Sequence, residues 1–351
     1  ALDGRDPSSI AGVMWCFGLF DRSFSPYSAI MGNVRNRTTE DHQNRIDLER
    51  YSDWTEKSTL DKKLNIGIVG GGISGSFAAM LLDNLGHNVT IWDKGRGASG
   101  RLSSKKILSD FSIHIGTKSF DSLPKWMERY VSEWIRLKLV RMNGNSLQPI
   151  KPLSEIIKHL NKEVRVNYGC KVTSLEEKNE SVEITVKNQN SINKYQYDRV
   201  IVALPIEQAI DICNPLGLEI YGMSDSTWVV WGPSDKIERI PENWESYYHA
   251  YGSGVMEIRI RNHEIIADHN FSSRDMVDLV TEKLGVPSSN WQAHYWKYST
   301  PIEGPGEIIH TERVSIIGDG FSQPLGTVGG AIESSGRVVS EIHLRKLNFK
   351  D

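Results

Sequence analysis

The chain has 351 residues, which is long enough for one large domain or two medium ones, each with its own core. Its 41 basic and 44 acidic side chains give a formal net charge of -3, so the overall charge does not favour nucleic acid or an anionic membrane, and the expected partner is a small molecule. No run of about 18 apolar residues is present, which predicts no membrane-spanning helix. Cys16, Cys170 and Cys213 lie far apart, which excludes a disulfide framework and fits a cytoplasmic protein.

Residues 1–63 are predicted to be an extension that precedes the first domain. Residues 1–9 (ALDGRDPSS) resemble an expression-vector leader and are left out of the fold. Residues 10–62 combine a short apolar patch with a polar stretch and match neither a signal peptide nor a transit peptide. Two interpretations remain open, a weakly ordered segment or a helix packed on the main body.

The first regular elements are a strand, a turn, a helix and a second strand. Residues 64–70 (LNIGIVG) form a β-branched run typical of a parallel strand that is buried on both faces. Residues 73–85 carry apolar side chains at helical spacing and end at Gly86, and residues 88–93 (NVTIWD) predict the second strand. This βαβ order is the context that a dinucleotide-binding glycine turn requires.

The glycine turn between the first strand and the helix is suited to a diphosphate. Gly70 allows a tight bend, Gly72 lets the backbone approach a pyrophosphate, and Gly75 lets the helix and strand pack closely. The helix begins at Ile73 and Ser74, and its N-terminus favours an anion. These five residues are therefore candidate cofactor-binding residues.

Asp93 is the candidate acid of the same fingerprint. It follows Gly70 by 23 residues, close to the roughly 20 expected for the carboxylate that holds the ribose hydroxyls. A chance match in a glycine-containing loop is the competing interpretation. The turn and the acid alone do not separate NAD from FAD.

The rest of the chain mixes helices and strands. Helices are predicted at residues 122–139, 154–160, 274–284, with Ser273 as the cap, and 329–343. Strands are predicted at residues 164–168, 171–176, 182–186, 199–203 and 314–318, with an antiparallel sheet over 228–266. The predicted fold class is α/β, with the βαβ unit on a central parallel sheet.

Two further segments favour FAD. The loop 94–101 (KGRGASGR) follows the second strand, and Lys94, Gly100 and Arg101 are placed to present amides and cationic groups to the diphosphate. Near the C-terminus, Gly318 and Asp319 follow a strand, so Asp319 is expected to bind the ribityl chain. The next helix starts at Gly329, Gly330 and Ala331, which are predicted to face the flavin or its phosphates. A solvated basic loop and an ordinary strand-loop-helix are the alternatives.

These motifs resemble renalase and its bacterial relatives in the flavin amine oxidase superfamily. The resemblance covers about residues 64–345 and is carried by IVGGGISGS, WDKGRGASGRLSS, KPLSEIIKHL, YDRVIVALP, HYWKYSTP, IIGDGF and GGAIESSGRV. It implies a Rossmann-like FAD-binding domain from residues 64–120, 151–205 and 305–351. It also implies an inserted α+β substrate domain with a mixed or antiparallel sheet, from residues 121–150 and 206–304. By this likeness Val172 meets the adenine and Ala203 lies near the dinucleotide.

The chain also departs from this family. Relatives carry an Asp-x-Gly-Ala-Gln segment beside the flavin, where this chain has residues 114–118 (HIGTK) and keeps only Gly116. The C-terminal motif lacks a cysteine for flavin attachment, which predicts non-covalent FAD.

The candidate catalytic residues are His114, Lys118 and Lys297. His114 and Lys118 are predicted to line the pocket by motif position, against the alternative of an exposed loop. Lys297 is expected near the flavin edge, while Tyr295, Trp296 and Tyr298 form an aromatic substrate pocket. A plain strand with a solvated lysine is the alternative. No metal site is predicted, because the histidines and acids lack zinc-binding spacing.

The predicted function is oxidation of a small molecule by FAD. A hydride leaves a C–H beside nitrogen in an amine or a dihydronicotinamide-like ring, and O2 is the expected acceptor, giving H2O2. Two rival functions remain open. One is an NAD-linked two-domain dehydrogenase, and the other is a flavin-binding sensor or scaffold without turnover.

Overall fold

A computed structural model describes residues 63–108, 111–120, 123–234, 237–248, 254–261 and 271–348. The predicted extension lies outside the described residues except for Lys63, and so do Cys16 and the part of the predicted antiparallel sheet that covers 262–266.

Short strands dominate the described residues, and each is named here in chain order. The strands are β1 (Asn65–Val69), β2 (Asn88–Trp92), β3 (Ser104–Leu108), β4 (Phe111–His114), β5 (Val140–Asn143), β6 (Ser146–Pro149), β7 (Arg165–Asn167), β8 (Lys171–Glu177), β9 (Val182–Lys187), β10 (Ile192–Tyr197), β11 (Arg199–Val202), β12 (Met223–Pro233), β13 (Glu245–Tyr248), β14 (Val255–Arg261), β15 (Gln292–Glu303), β16 (Ile309–His310) and β17 (Val314–Ile316). The α-helices are α1 (Ile73–Asn84), α2 (Glu128–Arg136), α3 (Ser154–Leu160), α4 (Ile206–Cys213), α5 (Ser273–Leu284) and α6 (Val328–Asn348).

A six-stranded sheet of order β16-β17-β11-β1-β2-β7 forms the centre of the fold. The pairs β17–β11, β11–β1, β1–β2 and β2–β7 are parallel, and only β16 runs antiparallel. Ile66 and Ile68 of β1 are fully buried, as expected for a strand covered on both faces. The prediction of an α/β fold with a Rossmann-like domain is confirmed.

Helices α1 and α6 meet beside this sheet through small polar side chains. The Ser74 hydroxyl lies 3.3 Å from that of Ser334 and 3.1 Å from that of Ser335, and all three residues are buried. Small side chains allow the close helix approach, and the hydrogen bonds satisfy the buried hydroxyl groups. The first and last cofactor segments are thereby joined.

A second, antiparallel sheet has the order β13-β14-β12-β15. One of its faces packs against α5 through Val230, Ile258 and Val280. Its other face packs against the β3–β4 hairpin, where Val229 contacts the cluster that contains Ile113 and further apolar residues. This second face is the one that reaches the functional site.

Several predicted boundaries need correction. Residues 122–139 do not form one helix, because a 3-10 turn at Lys125–Met127 leads into α2. The cap of α5 is Ser272 and not Ser273, since Ser272 accepts from Asp275 N–H while the Asp275 carboxylate accepts from Ser272 N–H. The strands β3 to β6, β10 and β16 and the helix α4 were not among the predicted elements.

None of the helices in the described part of the chain is long and apolar enough to cross a membrane.

Candidate active site

A cavity of about 930 Å³ lies between the carboxyl ends of the central strands and the second sheet. Its volume is at the upper end of the usual range for ligand pockets, ~300–1,000 Å³. Most of the predicted site residues line it: Gly70, Gly72, Ile73, Ser74, Asp93, Lys94, Gly100, Arg101, Gly116, Val172, Ala203, Tyr295, Trp296, Lys297, Tyr298, Gly318, Asp319 and Ala331. Segments more than 200 residues apart in sequence therefore form one cavity.

Five predicted site residues do not line the cavity. Gly75, Gly329 and Gly330 are not lining residues, and this part of the chain lines the cavity through Thr327 and through Val328 and Ala331 of α6. His114 and Lys118 flank the lining segment Ile115, Gly116 and Thr117 but are not themselves lining residues. Both side chains have protein partners, since His114 Nδ1 lies 2.9 Å from Ser104 Oγ and Lys118 Nζ is paired with Glu257.

The glycine turn has the geometry that a diphosphate requires. Gly70 has φ +105°, which disfavours any other residue, and a side chain on Gly75 would overlap the Gly70 carbonyl oxygen. A Cβ on Gly72 would meet no atom within 4 Å. Gly72 also provides no side-chain cap to α1, so the amides of its first turn are available to an anion.

Asp93 is held at the end of β2 by backbone amides. Its Oδ2 accepts from Gly71 N–H at 2.5 Å, and its Oδ1 accepts from Gly95 N–H at 2.5 Å. Each carboxylate oxygen has a second lone pair. The acid can therefore hold the two flanking loops and still accept ribose hydroxyl groups.

Arg101 and Asp319 form a forked ion pair inside the cavity. Nη1 donates to Oδ2 at 2.7 Å and Nη2 donates to Oδ1 at 2.6 Å. Nη1 also donates to the Ser299 carbonyl oxygen of β15 at 3.2 Å. Each residue was predicted on its own as a contact of FAD, and in the structure the two residues bind each other.

The turn that carries Asp319 is held by a hydrogen bond to α6. Gly318, with φ +141°, donates its N–H to Ser334 Oγ at 3.0 Å. The Ser334 hydroxyl donates to the Ala331 carbonyl oxygen at 2.7 Å. The buried serine thus positions the Gly318–Asp319 turn.

The part of the cavity wall formed by β8 and the end of β11 contains residues predicted to lie near the adenine and the dinucleotide. Val172 is almost fully buried in β8, and Ala203 follows β11. Lys94 Nζ donates to Gln208 Oε1 at 2.8 Å, and burial together with the nearby Lys171 lowers the pKa of Lys94. Cys170 also lines this part of the cavity.

The β15 residues serve different purposes although all line the cavity. Tyr295 packs on Trp228 with ring centroids 4.7 Å apart, and Trp296 donates its Nε1–H to the Ile115 carbonyl oxygen at 2.8 Å. Lys297 is solvent-exposed, 5.2 Å from the Tyr298 ring centroid, and a hydrogen bond with Tyr298 raises its pKa. The aromatic side chains are thus part of the scaffold as well as of the pocket.

Lys118, Glu257 and Arg259 form a charged cluster next to Gly116. The Glu257 carboxylate is fully buried and accepts from Lys118 Nζ and, at 2.8 Å, from Arg259 Nε. Arg259 Nη2 donates to the carbonyl oxygens of Gly116 and, at 3.1 Å, of His114. Burial lowers the pKa of Lys118 to about 8, although the Glu257 charge opposes this shift.

These residues fit a bound dinucleotide. The uncapped start of α1 faces the cavity at Gly72, and the Asp93 carboxylate lies at the end of the neighbouring strand, as a diphosphate and a ribose require. Within the described ranges no group of three or more His, Cys, Asp or Glu side chains is arranged to hold a metal ion.

Two sequence models of known families match the chain. The NAD(P)-binding Rossmann-like domain matches residues 68–134, and the flavin-containing amine oxidoreductase family matches residues 131–210. The matches place the chain in the FAD-dependent oxidoreductase superfamily. They confirm FAD as the cofactor. They do not distinguish a renalase-like subfamily from other members of the superfamily.

Solved structures share the fold of this superfamily. An aromatic hydroxylase of angucycline biosynthesis, CabE, is 13% identical with a TM-score of 0.56, and the match covers 81% of this chain and 63% of that one. A protein assigned as a protoporphyrinogen oxidase from Exiguobacterium sp. 255-15 is 11% identical with a TM-score of 0.57, covering 82% and 100%. CtdE in complex with FAD is 15% identical with a TM-score of 0.54, covering 81% and 85%. The chain therefore spans under two thirds of the length of the hydroxylase.

Glu257, Arg259 and Thr227 were not among the predicted site residues, although Arg259 and Thr227 line the cavity. One signal was present. In residues 255–261 (VMEIRIR) the charges alternate with apolar residues, which predicts one polar face of a strand. On that face Glu257 and Arg259 are largely covered and contact residues 114–118, whereas Arg261 is exposed.

Proposed function

We propose that this chain is an FAD-dependent oxidase of the flavin amine oxidase type, similar to renalase. It removes a hydride from a C–H beside nitrogen in a small amine or a dihydronicotinamide-like ring. Bound FAD supplies the hydride acceptor and passes two electrons to O2, which with two protons becomes H2O2. The oxidised substrate leaves as an imine or as the aromatic nicotinamide ring.

The observation that carries this proposal is the shared lining of one cavity. The glycine turn and Asp93 lie on one part of its wall, and β15 with Ile115–Thr117 lies on another. A cofactor held at the first part therefore shares its cavity with a substrate held at the second. The Arg101–Asp319 pair lies in the same cavity and contacts β15 through Ser299.

His294 is the residue we assign to proton transfer. It lines the cavity, and burial, together with the nearby Lys105, lowers its pKa. The imidazole is then neutral near pH 7 and can accept the proton of an ammonium substrate before hydride loss. Its ring is held against Trp296, with centroids 4.5 Å apart.

We also propose that FAD is held without a covalent bond. Cys213 is buried, and burial raises its pKa to about 12, so its thiol is a poor nucleophile. Cys170 belongs to the wall assigned to the adenine and ribose. Denaturation in acid should therefore release all of the flavin into the supernatant, and flavin that stays with the precipitate would contradict this.

The test of function uses the purified protein as it exists. We expect a yellow protein that retains FAD through gel filtration. Its flavin absorbance at about 450 nm should be lost when the protein is mixed anaerobically with amines or dihydronicotinamide isomers. Air should restore the colour with one H2O2 per substrate. A colourless protein that FAD cannot reconstitute would overturn the proposal.

The same experiment separates the rivals. An NAD-linked dehydrogenase would retain no flavin, and a sensor without turnover would retain FAD but would not bleach. The replaced segment 114–118 favours the sensor, since it carries the largest departure from the family pattern. Reduction by NADPH alone, with oxygen inserted into an aromatic ring, would instead indicate a hydroxylase.

A further inference from the structure

A buried charge imbalance lies at the end of the cavity formed by β14 and residues 115–117. Glu257 is 0% exposed and binds two cations, Lys118 and Arg259. One negative charge therefore faces two positive charges. Because an uncompensated charge is costly to bury, such a cluster favours a further anion.

The other charges that the described residues place nearby do not remove the imbalance. Tyr247 lies under the cluster, with its ring centroid 4.9 Å from Lys118 Nζ, and its hydroxyl donates to Glu245 at 3.1 Å. Glu245 in turn is paired with Arg261 at 3.4 Å. The net charge of these groups stays at one positive.

Arg259 is fixed so that its remaining edge is free. Its Nε and Nη2 are used by Glu257 and by the carbonyl oxygens of His114 and Gly116. Its Nη1 donates to no residue among the described ranges, and Arg259 lines the cavity. A guanidinium that is already oriented loses little side-chain entropy when it binds an anion.

The strand register places Arg259 on the wall of the proposed substrate site. Val229 of β12 pairs with Arg259 of β14 on one side and with His294 of β15 on the other. Cross-strand partners share a face of the sheet, so Arg259 and His294 lie two strands apart, roughly 9–10 Å. This distance separates the two ends of a small substrate.

We propose that the substrate carries an anionic oxygen group, a carboxylate or a phosphate, and that Arg259 Nη1 binds it. This inference rests on the proposed oxidase function, and it adds the chemical class of the substrate. The amine or dihydropyridine end lies toward His294 and the anion toward Arg259. Glu257 and Lys118 act as positioning residues, because they orient Arg259 and set the charge.

The test compares matched small ligands on the FAD-loaded protein. Benzoate, phenyl phosphate and benzamide are titrated by calorimetry and by flavin absorbance, and the two anions distinguish carboxylate from phosphate. We expect one anion at least to bind tenfold more tightly than benzamide, which has the shape of benzoate without its charge. Equal binding of all three would overturn the inference, whatever the variants do.

Variants assign the effect to a residue. Arg259→Gln should weaken binding of the preferred anion at least tenfold and leave benzamide unchanged. Arg274→Gln is the matched control, because this arginine lies on α5, is paired with Asp278 away from the cluster and has a side chain that is 68% exposed, and it should leave anion binding unchanged. If Arg259→Gln does not fold, Arg259→Lys replaces it. This variant keeps the charge, and its affinity for the preferred anion should fall several-fold.

Failure of this inference differs from failure of the proposed function. A protein without FAD can still be titrated with the three ligands, so anion binding is measured even if the oxidase assignment is wrong. A protein that oxidises neutral amines while Arg259→Gln leaves every affinity unchanged would keep the function and overturn the anion site. Loss of FAD from Arg259→Gln, with anion binding preserved after reconstitution, would assign Arg259 to the cofactor.

Discussion

Arg101 and Asp319, 218 residues apart in sequence, bind each other through two hydrogen bonds of 2.7 and 2.6 Å. The Asp319 side chain is only 10% exposed. We expect Arg101→Met to lower the unfolding free energy by ~1.5–3 kcal/mol, because a carboxylate that is nearly buried loses its charged partner. Urea unfolding of the FAD-free protein measures this.

The control for this variant is Arg96→Met, which lies in the same loop with an exposed side chain. It should change stability by less than ~0.5 kcal/mol. A double-mutant cycle with Asp319→Asn isolates the pair. Strictly additive effects would mean that the ion pair contributes nothing.

Gly116 approaches the chain at Arg101 so closely that a side chain cannot fit. A Cβ there would overlap the Arg101 carbonyl oxygen and lie 2.7 Å from its carbonyl carbon. We expect Gly116→Ala to destabilise the protein by ~1–3 kcal/mol through overpacking. Gly97→Ala is the control, since a Cβ at Gly97 meets nothing within 4 Å. Equal thermal midpoints of the two variants would contradict the packing argument.

Ser334 couples α6 to the turn that carries Asp319. Ser334→Ala removes the acceptor of the Gly318 N–H and leaves this buried group unpaired, so we expect a loss of ~1–3 kcal/mol in the unfolding free energy. FAD affinity should fall as well, because the turn is no longer held. Ser132→Ala, at an exposed position of α2, serves as the control. A Ser334 variant with unchanged FAD affinity would show that the turn is held by other contacts.

The lowered pKa of Lys118 predicts how anion binding depends on pH. Its pKa is lowered from 10.5 to about 8, so it is charged below that pH and neutral above it. Glu257, Arg259 and Tyr247 face it. As pH rises past about 8 the cluster changes from one net positive charge to none, and anion binding should weaken by ~1 kcal/mol.

Lys118→Arg tests this assignment, because a guanidinium stays charged throughout that range. In this variant the affinity for the preferred anion should be constant from about pH 7 to about pH 9, which is roughly one pH unit on each side of the Lys118 pKa. If the weakening persists in Lys118→Arg, another group titrates.

The features that could be predicted from sequence are those that local patterning determines. The βαβ unit from β1 to β2 follows from a β-branched run, a glycine turn and a helical apolar period, and Asp93 follows from its spacing to Gly70. The pairing of Glu257 with Lys118 could not be predicted, because it depends on how the β3–β4 hairpin covers β14, a tertiary contact over 139 residues. Ser272 and Ser273 are both good caps, and only the backbone geometry decides between them.

The place of β17 in the sheet has a consequence for biosynthesis. This strand pairs with β11, and the turn that follows it supplies Asp319 to the cavity. Domains form progressively as the chain leaves the ribosome. The flavin pocket therefore closes only after Asp319 and the start of α6 have emerged, so acquisition of yellow colour reports the arrival of these late segments and not merely folding of the N-terminal βαβ unit.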